Sequence, residues 1–425
     1  MQTRNKPVIL LVAEAVTLAH FARIVTLAKA LDPSAYEVVV ASDPRYTALE
    51  ASLDCAFRPI RSIPSAEFAH ALAQGKPLYS VETLTQYVED DLALLDSVKP
   101  DLVVGDFRLS LAVSAPLRRI PYAAVVNAYW SPFADTAYPV PDLPMTRILG
   151  VRVAQKLFDI VRPVAFALHA RPLNRVRRRY GLPPLGPDLR NVYTWSDYAL
   201  YADIPEVVPT HNLPDYHHYL GPVLWSTRTP LPEWWNRLPK DKPVVFLTLG
   251  SSGQAAVLPL ALTALSQLPV TVVVATAGKI ALANAPANTY IADYLPMDIA
   301  TRRSQVVIGN GGSLTTYQAL ASGVPVIGLC SNMDQLLNMD AVERIGAGIT
   351  LRAAKASCAG LVAAASAMLY DSSYAQAASR VGQTLAQTDS GQCFREIVAD
   401  ILHQGSNPSA DLARSAKGLK KTAAR

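Results

Sequence analysis

Uninterrupted apolar runs recur along this chain, and most are followed by stretches that bury only one face. Val8-Ile9-Leu10-Leu11-Val12-Ala13 has no polar position, the pattern of a strand covered on both sides. From His20 to Leu31 the period changes. Ile24, Leu27, Ala28 and Leu31 fall at i, i+3, i+4 and i+7, so a helix with one buried stripe is predicted there. Further strands are predicted at Tyr36–Ala41, Leu102–Gly105 and Ala123–Val126. The same alternation restarts at Val244–Gly250 and continues with Val270–Ala275, Val306–Ile308 and Val324–Leu329. Alternating strands and helices imply a parallel, doubly wound sheet in each half. The fold class expected is therefore α/β, two Rossmann-like domains facing each other across a cleft.

The first domain is predicted over residues 1–220 and the second over 243–405. The stretch 221–242, rich in proline and tryptophan (Pro222, Pro230, Pro232, Pro239, Trp225, Trp234, Trp235), reads as the linker. Residues 406–425 carry five Lys/Arg against one Asp and little apolar periodicity, and are expected to form a basic, disordered tail.

Composition narrows the function without naming it. Half of the 425 residues are apolar and 17% are charged, enough to bury large cores and too little charge for a disordered chain. Lys plus Arg total 39 against 34 for Asp plus Glu, a formal excess of +5 that speaks against a nucleic-acid partner. The four cysteines, Cys55, Cys330, Cys358 and Cys393, form no CxxC pair and suit a reducing compartment rather than a zinc site. Glu14 interrupts the first apolar run, and no uncharged stretch approaches the ~20 residues of a spanning helix. A cytoplasmic location is expected, with peripheral membrane contact left open by residues 147–180. That segment holds nine Lys/Arg and one acid among apolar positions, and reads either as a solvated basic face or as an amphipathic surface for anionic lipid or a lipid-like acceptor.

The sharpest chemical signal lies at Val306–Leu320. A buried strand runs into Asn310-Gly311-Gly312-Ser313 and then a helix. Glycine lets backbone approach a ligand closely, and a helix N-terminus favours an anion such as a diphosphate. The competing account is a tight turn with Ser313 as N-cap. Asp293-Tyr294-Leu295-Pro296 precedes this unit, and Gly323-Val324-Pro325, Asp334-Gln335 and Asn338 come after it. This order resembles the nucleotide-sugar signature of the UDP-glycosyltransferase superfamily, whose fold is the two-domain GT-B type. The likeness runs from Val8 to about Ile401.

The resemblance implies roles residue by residue. Tyr294 and Leu295 fall on the base-stacking element, and Asn310, Gly311, Gly312, Ser313 and Thr315 on the phosphate loop. Gln318 falls on the ribose position, and Asp334 with Gln335 on the pair that binds sugar hydroxyls. Ser251 and Ser252, after Leu249-Gly250, resemble a loop whose serine touches phosphate. Asn310 stands where the family usually has histidine, Gln318 where many members have glutamate, and Met297 where glutamine is usual. In the first half, His20 matches the family's histidine base, with Ala19 for the usual glycine. Asp106, at the end of its strand, matches the carboxylate that orients it. Alone, each reads better as structural, His20 as a helix-capping or core histidine and Asp106 as a strand-end cap; together on family positions they read as the dyad. The aromatic stretch 127–144, with Tyr129, Trp130, Phe133 and Tyr138, is the expected acceptor-binding loop.

These assignments imply an inverting, metal-independent glycosyltransferase. Its co-substrate would be a UDP- or dTDP-sugar with no further cofactor, and its acceptor a hydroxyl on an apolar, aromatic or lipid-like molecule. An epimerase of the same fold and a non-catalytic partner subunit are the alternatives.

Overall fold

The computed structural model describes residues 6–49, 53–250, 255–278 and 285–404. In the first half, β1 (Val8–Ala13), β2 (Glu37–Ser42), β3 (Ala56–Pro59), β4 (Leu102–Asp106), β5 (Tyr122–Val126), β6 (Tyr198–Tyr201) and β7 (His217–Tyr219) form one sheet. Its order is β3-β2-β1-β4-β5-β6-β7, and every pairing is parallel. The helices α1 (Leu18–Ala30), α2 (Ser65–Gln74), α3 (Val81–Val98), α4 (Leu111–Arg118), α5 (Pro144–Arg179) and α6 (Leu189–Thr194) accompany it. β1 is buried along its whole length, as its sequence requires, and the predicted stripe of α1 packs into the core beneath it.

The second half contains β8 (Val244–Thr248), β9 (Thr271–Ala275), β10 (Thr289–Ala292), β11 (Val306–Gly309), β12 (Val326–Cys330) and β13 (Gly348–Arg352). This sheet is also wholly parallel, in the order β10-β9-β8-β11-β12-β13. Around it lie α7 (Leu258–Leu265), α8 (Met297–Arg302), α9 (Ser313–Ala321), α10 (Met333–Arg344), α11 (Cys358–Tyr370) and α12 (Ser372–Ala386). The last helix, α13 (Ser390–Gln404), crosses back to the first half. There Phe394, Ile397, Val398 and Ile401 join the core formed by Ile9, Leu11, Ile24 and Leu27.

The segment 221–242 is held at several points. Val223 is buried with the first-half core, the Trp234 ring packs 5.5 Å from that of Tyr290, and Ser226 Oγ donates to Asp298 at 2.5 Å. In each sheet the strand order reverses once, between β1 and β4 and between β8 and β11. Ligands of open α/β sheets bind at the carboxyl ends of strands flanking such a reversal.

Candidate active site

The first reversal carries the expected dyad. β1 feeds α1, whose third residue is His20, and β4 ends on Asp106 in register with Ala13. His20 Nδ1 lies 2.7 Å from Asp106 Oδ1. A carboxylate only accepts, so this contact requires the proton on Nδ1 and leaves Nε2 as the ring's acceptor. The carboxylate is buried, while the imidazole keeps some exposure to the cleft.

Arg23, one turn after His20, closes on the same carboxylate. Its Nε donates to Asp106 Oδ2 at 2.7 Å and its Nη2 to Oδ1 at 2.9 Å, a bidentate pair. Burial opposes charge on this guanidinium, and the Asp106 carboxylate outweighs that penalty and raises its pKa. Arg23 Nη1 also donates to Asn127 Oδ1 at 2.9 Å. The Asn127 amide in turn donates to Asp203 at 3.2 Å, and Asp203 accepts from the Tyr317 hydroxyl of α9 at 2.9 Å. A continuous polar chain thus runs from His20 across the cleft into the second domain. Within it, burial raises the pKa of Asp203, against the pull of the Ala128 N–H and the Tyr317 hydroxyl.

The residue after Asp106 is conformationally unusual. Phe107 has φ 57°, a left-handed conformation costly for a bulky side chain. Its ring stacks on His20 with centroids 5.0 Å apart and planes within 7°. Anchors on both sides hold it. The Asp106 carbonyl accepts the Glu14 N–H at 3.0 Å. Arg108, fully buried, donates to Glu14 at 2.9 Å, to Asp91 at 3.0 Å and to the Arg61 carbonyl at 2.6 Å.

At the second reversal, β11 leads through Asn310 and the two glycines into α9. Gly311 has φ 81°, and a Cβ there would lie 2.5 Å from Cys330 Sγ and 3.3 Å from the Gln335 carbonyl. Its glycine is demanded by the turn itself. Gly312, not Ser313, occupies the N-cap, and among the described residues no side chain caps the helix. Asn310 Oδ1 accepts the Gly312 N–H at 3.1 Å, and the N–H groups of the first turn of α9 lie beyond it. Two substitutions separate turn from site. Gly311→Ala should cost folding stability, read by thermal melting. Gly312→Val should leave the melt near wild type and weaken UDP and dTDP binding about tenfold or more in calorimetry, since its Cβ crowds only Asn310 Oδ1 at 3.2 Å. Equal nucleotide affinity would reduce the pair to a turn.

Both reversals open on one cavity of about 340 Å³. It brings together His20, Asp106, Trp130, Tyr294, Leu295, Asn310, Gly312, Ser313, Thr315, Gln318, Asp334 and Gln335. The Tyr294 hydroxyl donates to the Ala277 carbonyl at 3.1 Å. Among the described residues, Gln318 Oε1 is buried without a partner, and so is Gln335 Nε2. The Gln335 side-chain oxygen is engaged in a capping box with Asn332 at the start of α10. Asp334 is also engaged: its Oδ1 accepts Trp130 Nε1 at 2.8 Å and the Tyr129 hydroxyl at 3.2 Å, from the opposite domain.

The remaining expected residues lie elsewhere. Gly311 is not on the cavity wall. Of the four aromatic residues expected of the loop only Trp130 is, although Asn127, Pro141 and Leu143 of the same stretch also line it. Tyr129 is fully buried, Phe133 packs on His217 at 5.3 Å, and Tyr138 packs on Phe166 at 5.4 Å. Their rings fill the space between elements. Ser251 and Ser252 lie outside the described residues. The apolar end of the cavity is instead built by Phe68 and Leu72 of α2, Phe107, Leu143, Phe158 and Phe166 of α5, and Tyr193. Leu143 and Asn127 lie in the stretch 127–144 and Phe158 and Phe166 in the segment 147–180, whereas Phe68, Leu72, Phe107, Tyr193 and Arg23 were not read from the sequence.

Residues 260–403 match the family described as "Erythromycin biosynthesis protein CIII-like, C-terminal domain". The chain is 51% identical over 383 residues to a "PGL/p-HBAD biosynthesis glycosyltransferase" of Mycobacterium tuberculosis, covering 90% of each chain. It is 52% identical over 379 residues to a "PGL/p-HBAD biosynthesis rhamnosyltransferase" of Mycobacterium bovis, covering 89% of this chain and 84% of that one. Among solved structures, the Streptomyces sp. SF2575 glycosyltransferase SsfS6, complexed with thymidine diphosphate, matches with a TM-score of 0.62 at 21% identity. That match covers 92% of this chain and 99% of the other, and it shows the shared fold.

Proposed function

Since this chain belongs to the UDP-glycosyltransferase-like superfamily of GT-B glycosyltransferases, we propose that it transfers a sugar, with inversion, from a UDP- or dTDP-linked donor to a hydroxyl of an apolar, aromatic or lipid-like acceptor. One observation carries this reading. The acceptor nitrogen of a carboxylate-held histidine and an uncapped helix N-terminus open on the same cavity. His20 Nε2 takes the proton of the acceptor hydroxyl as its oxygen attacks the anomeric carbon, and Asp106 steadies the imidazolium that results. The departing diphosphate carries its growing charge to the N-terminus of α9, where oriented N–H groups need no reorganisation. No cofactor beyond the sugar nucleotide enters this scheme. The aromatic and aliphatic wall of α2 and α5 suits an apolar acceptor, and the rhamnosyltransferase relative favours a deoxysugar donor.

Incubation with UDP- and dTDP-sugars plus a phenolic or lipidic alcohol, followed by mass spectrometry, tests the proposal. Glycosylated acceptor with inverted anomeric configuration is expected. Epimerisation of the donor without acceptor, or no turnover and no nucleotide binding, would overturn it.

Asn310 offers a check on the donor side. Asn310→His should tighten diphosphate binding below about pH 6.5, where an ordinary histidine gains charge. Each unit of pKa displacement on binding corresponds to about 1.4 kcal/mol. Dissociation constants at two pH values decide it. Uniform weakening would mean that the amide, held by the Gly312 N–H, serves a donor whose shape excludes imidazole.

A further inference from the structure

The helix that walls the apolar end of the cavity is exposed on its other side, and that side is apolar too. On α5, Val153, Leu157, Ile160, Val161, Val164 and Leu168 all face solvent; Ile160 is 76% exposed, Val164 64% and Val153 56%. At about 100° per residue these six positions fall within an arc of roughly 100° and span roughly 22 Å of helix. The same arc, continued toward the carboxyl end, holds Arg171, Arg175, Arg178 and Arg179, all exposed. The one acid between 147 and 180, Asp159, lies off this arc and accepts from Gln155 Nε2 at 2.8 Å.

We propose that this face of α5 docks on an anionic lipid bilayer, its apolar stripe in the acyl boundary and its arginine row on the headgroup phosphates. A contiguous exposed apolar stripe marks a docking surface rather than ordinary scatter. The charge decides what docks. A second copy packed antiparallel would set each arginine row against the other's apolar stripe, whereas a bilayer surface offers apolar depth beside negative charge. Among the described residues no helix is long and apolar enough to cross a membrane, so α5 lies on the surface. The opposite face of the same stretch, Phe158, Ala165, Phe166 and His169, lines the cavity. An apolar acceptor leaving the bilayer would therefore meet the cavity within one helix thickness, about 10 Å. This surface rests on the exposed residues alone and stands apart from the reaction proposed above.

Co-sedimentation of the full chain with vesicles tests it. Binding is expected to vesicles of equal parts phosphatidylglycerol and phosphatidylcholine, to fall with added salt, and to be weak on pure phosphatidylcholine. Ile160→Glu/Val164→Glu should lower binding to the anionic vesicles about tenfold or more, and Arg171→Glu/Arg175→Glu should do so while weakening the salt dependence. Neither pair touches the cavity, so turnover of a short, water-soluble acceptor and the circular-dichroism melt should match wild type. Failure of the wild type to bind anionic vesicles would overturn the proposal, as would a Glu double variant that binds equally well. A dimer in solution that Ile160→Glu/Val164→Glu splits, without vesicle binding, would assign the face to a second copy instead. Loss of turnover in every form would count against the reaction and leave the vesicle result standing.

Discussion

His20→Ala is expected to slow sugar transfer by about three orders of magnitude while nucleotide affinity stays within a few-fold. Removing a positioned general base typically costs about 10²–10⁴ in rate. His20 sits on α1, held by Asp106 and stacked on Phe107, and its ring is positioned from the first domain alone. The nucleotide is expected on the second domain, around α9. Turnover measured at saturating donor, with calorimetric binding of UDP and dTDP beside it, separates the two effects. Asp106→Asn should produce a related loss. An amide at that position can present its NH2 to Nδ1, which favours the proton on Nε2, the wrong nitrogen for abstraction. Unchanged turnover in His20→Ala would sink the dyad, and loss of nucleotide binding in that variant would place the donor differently.

Much of this site was legible in the sequence because its parts sit at punctuation marks. Strands with no polar position marked out the two sheets, and Asp106 and Asn310 each come directly after the glycine that closes an apolar run, in β4 and β11. The strands that escaped, such as β3, β7 and β10, are short and only partly buried, so their sequences carry little apolar signal. The polar chain through Arg23, Asn127, Asp203 and Tyr317 was invisible for another reason. Its members are 76 to 114 residues from their principal partners, and no local period reports such contacts. Arg23 left one trace, a cation one turn after His20 on an otherwise apolar helix face. The aromatic loop misled by composition: Tyr129 and Tyr138 are large and apolar enough to line an acceptor pocket, and equally suited to filling a seam between elements, where the fold uses them. In α5, apolar residues on two opposite faces cancel the one-sided pattern that marks an ordinary surface helix.

Arg108→Met should destabilise the protein by about 3–5 kcal/mol at neutral pH, the range for breaking a buried ion pair from one side. Glu14 and Asp91 would remain in place, fully buried, with no cation between them. Burial already pushes both carboxyls above their ordinary range, and the Arg108 guanidinium is what restrains them. Without it their folded-state pKa values rise further, while the unfolded values stay near 4. Between those limits the folded state binds more protons than the unfolded, so stability falls as pH rises through the window. The deficit of the variant should therefore shrink as pH drops from 7 until the wild-type carboxyls, themselves raised, also protonate, by up to about 1.4 kcal/mol per pH unit for each carboxyl. Urea unfolding of both proteins at two pH values reads this directly, and a pH-independent deficit would mean that lost packing against Tyr87, 3.7 Å from the guanidinium carbon, dominates instead. The same substitution bears on chemistry. Arg108, anchored on Glu14 and Asp91, fixes the chain just after Phe107, whose backbone is left-handed, and Phe107 in turn backs the His20 ring. The fraction of Arg108→Met that remains folded should thus show reduced turnover with donor affinity retained, because the base loses its aim while the second domain keeps its own core.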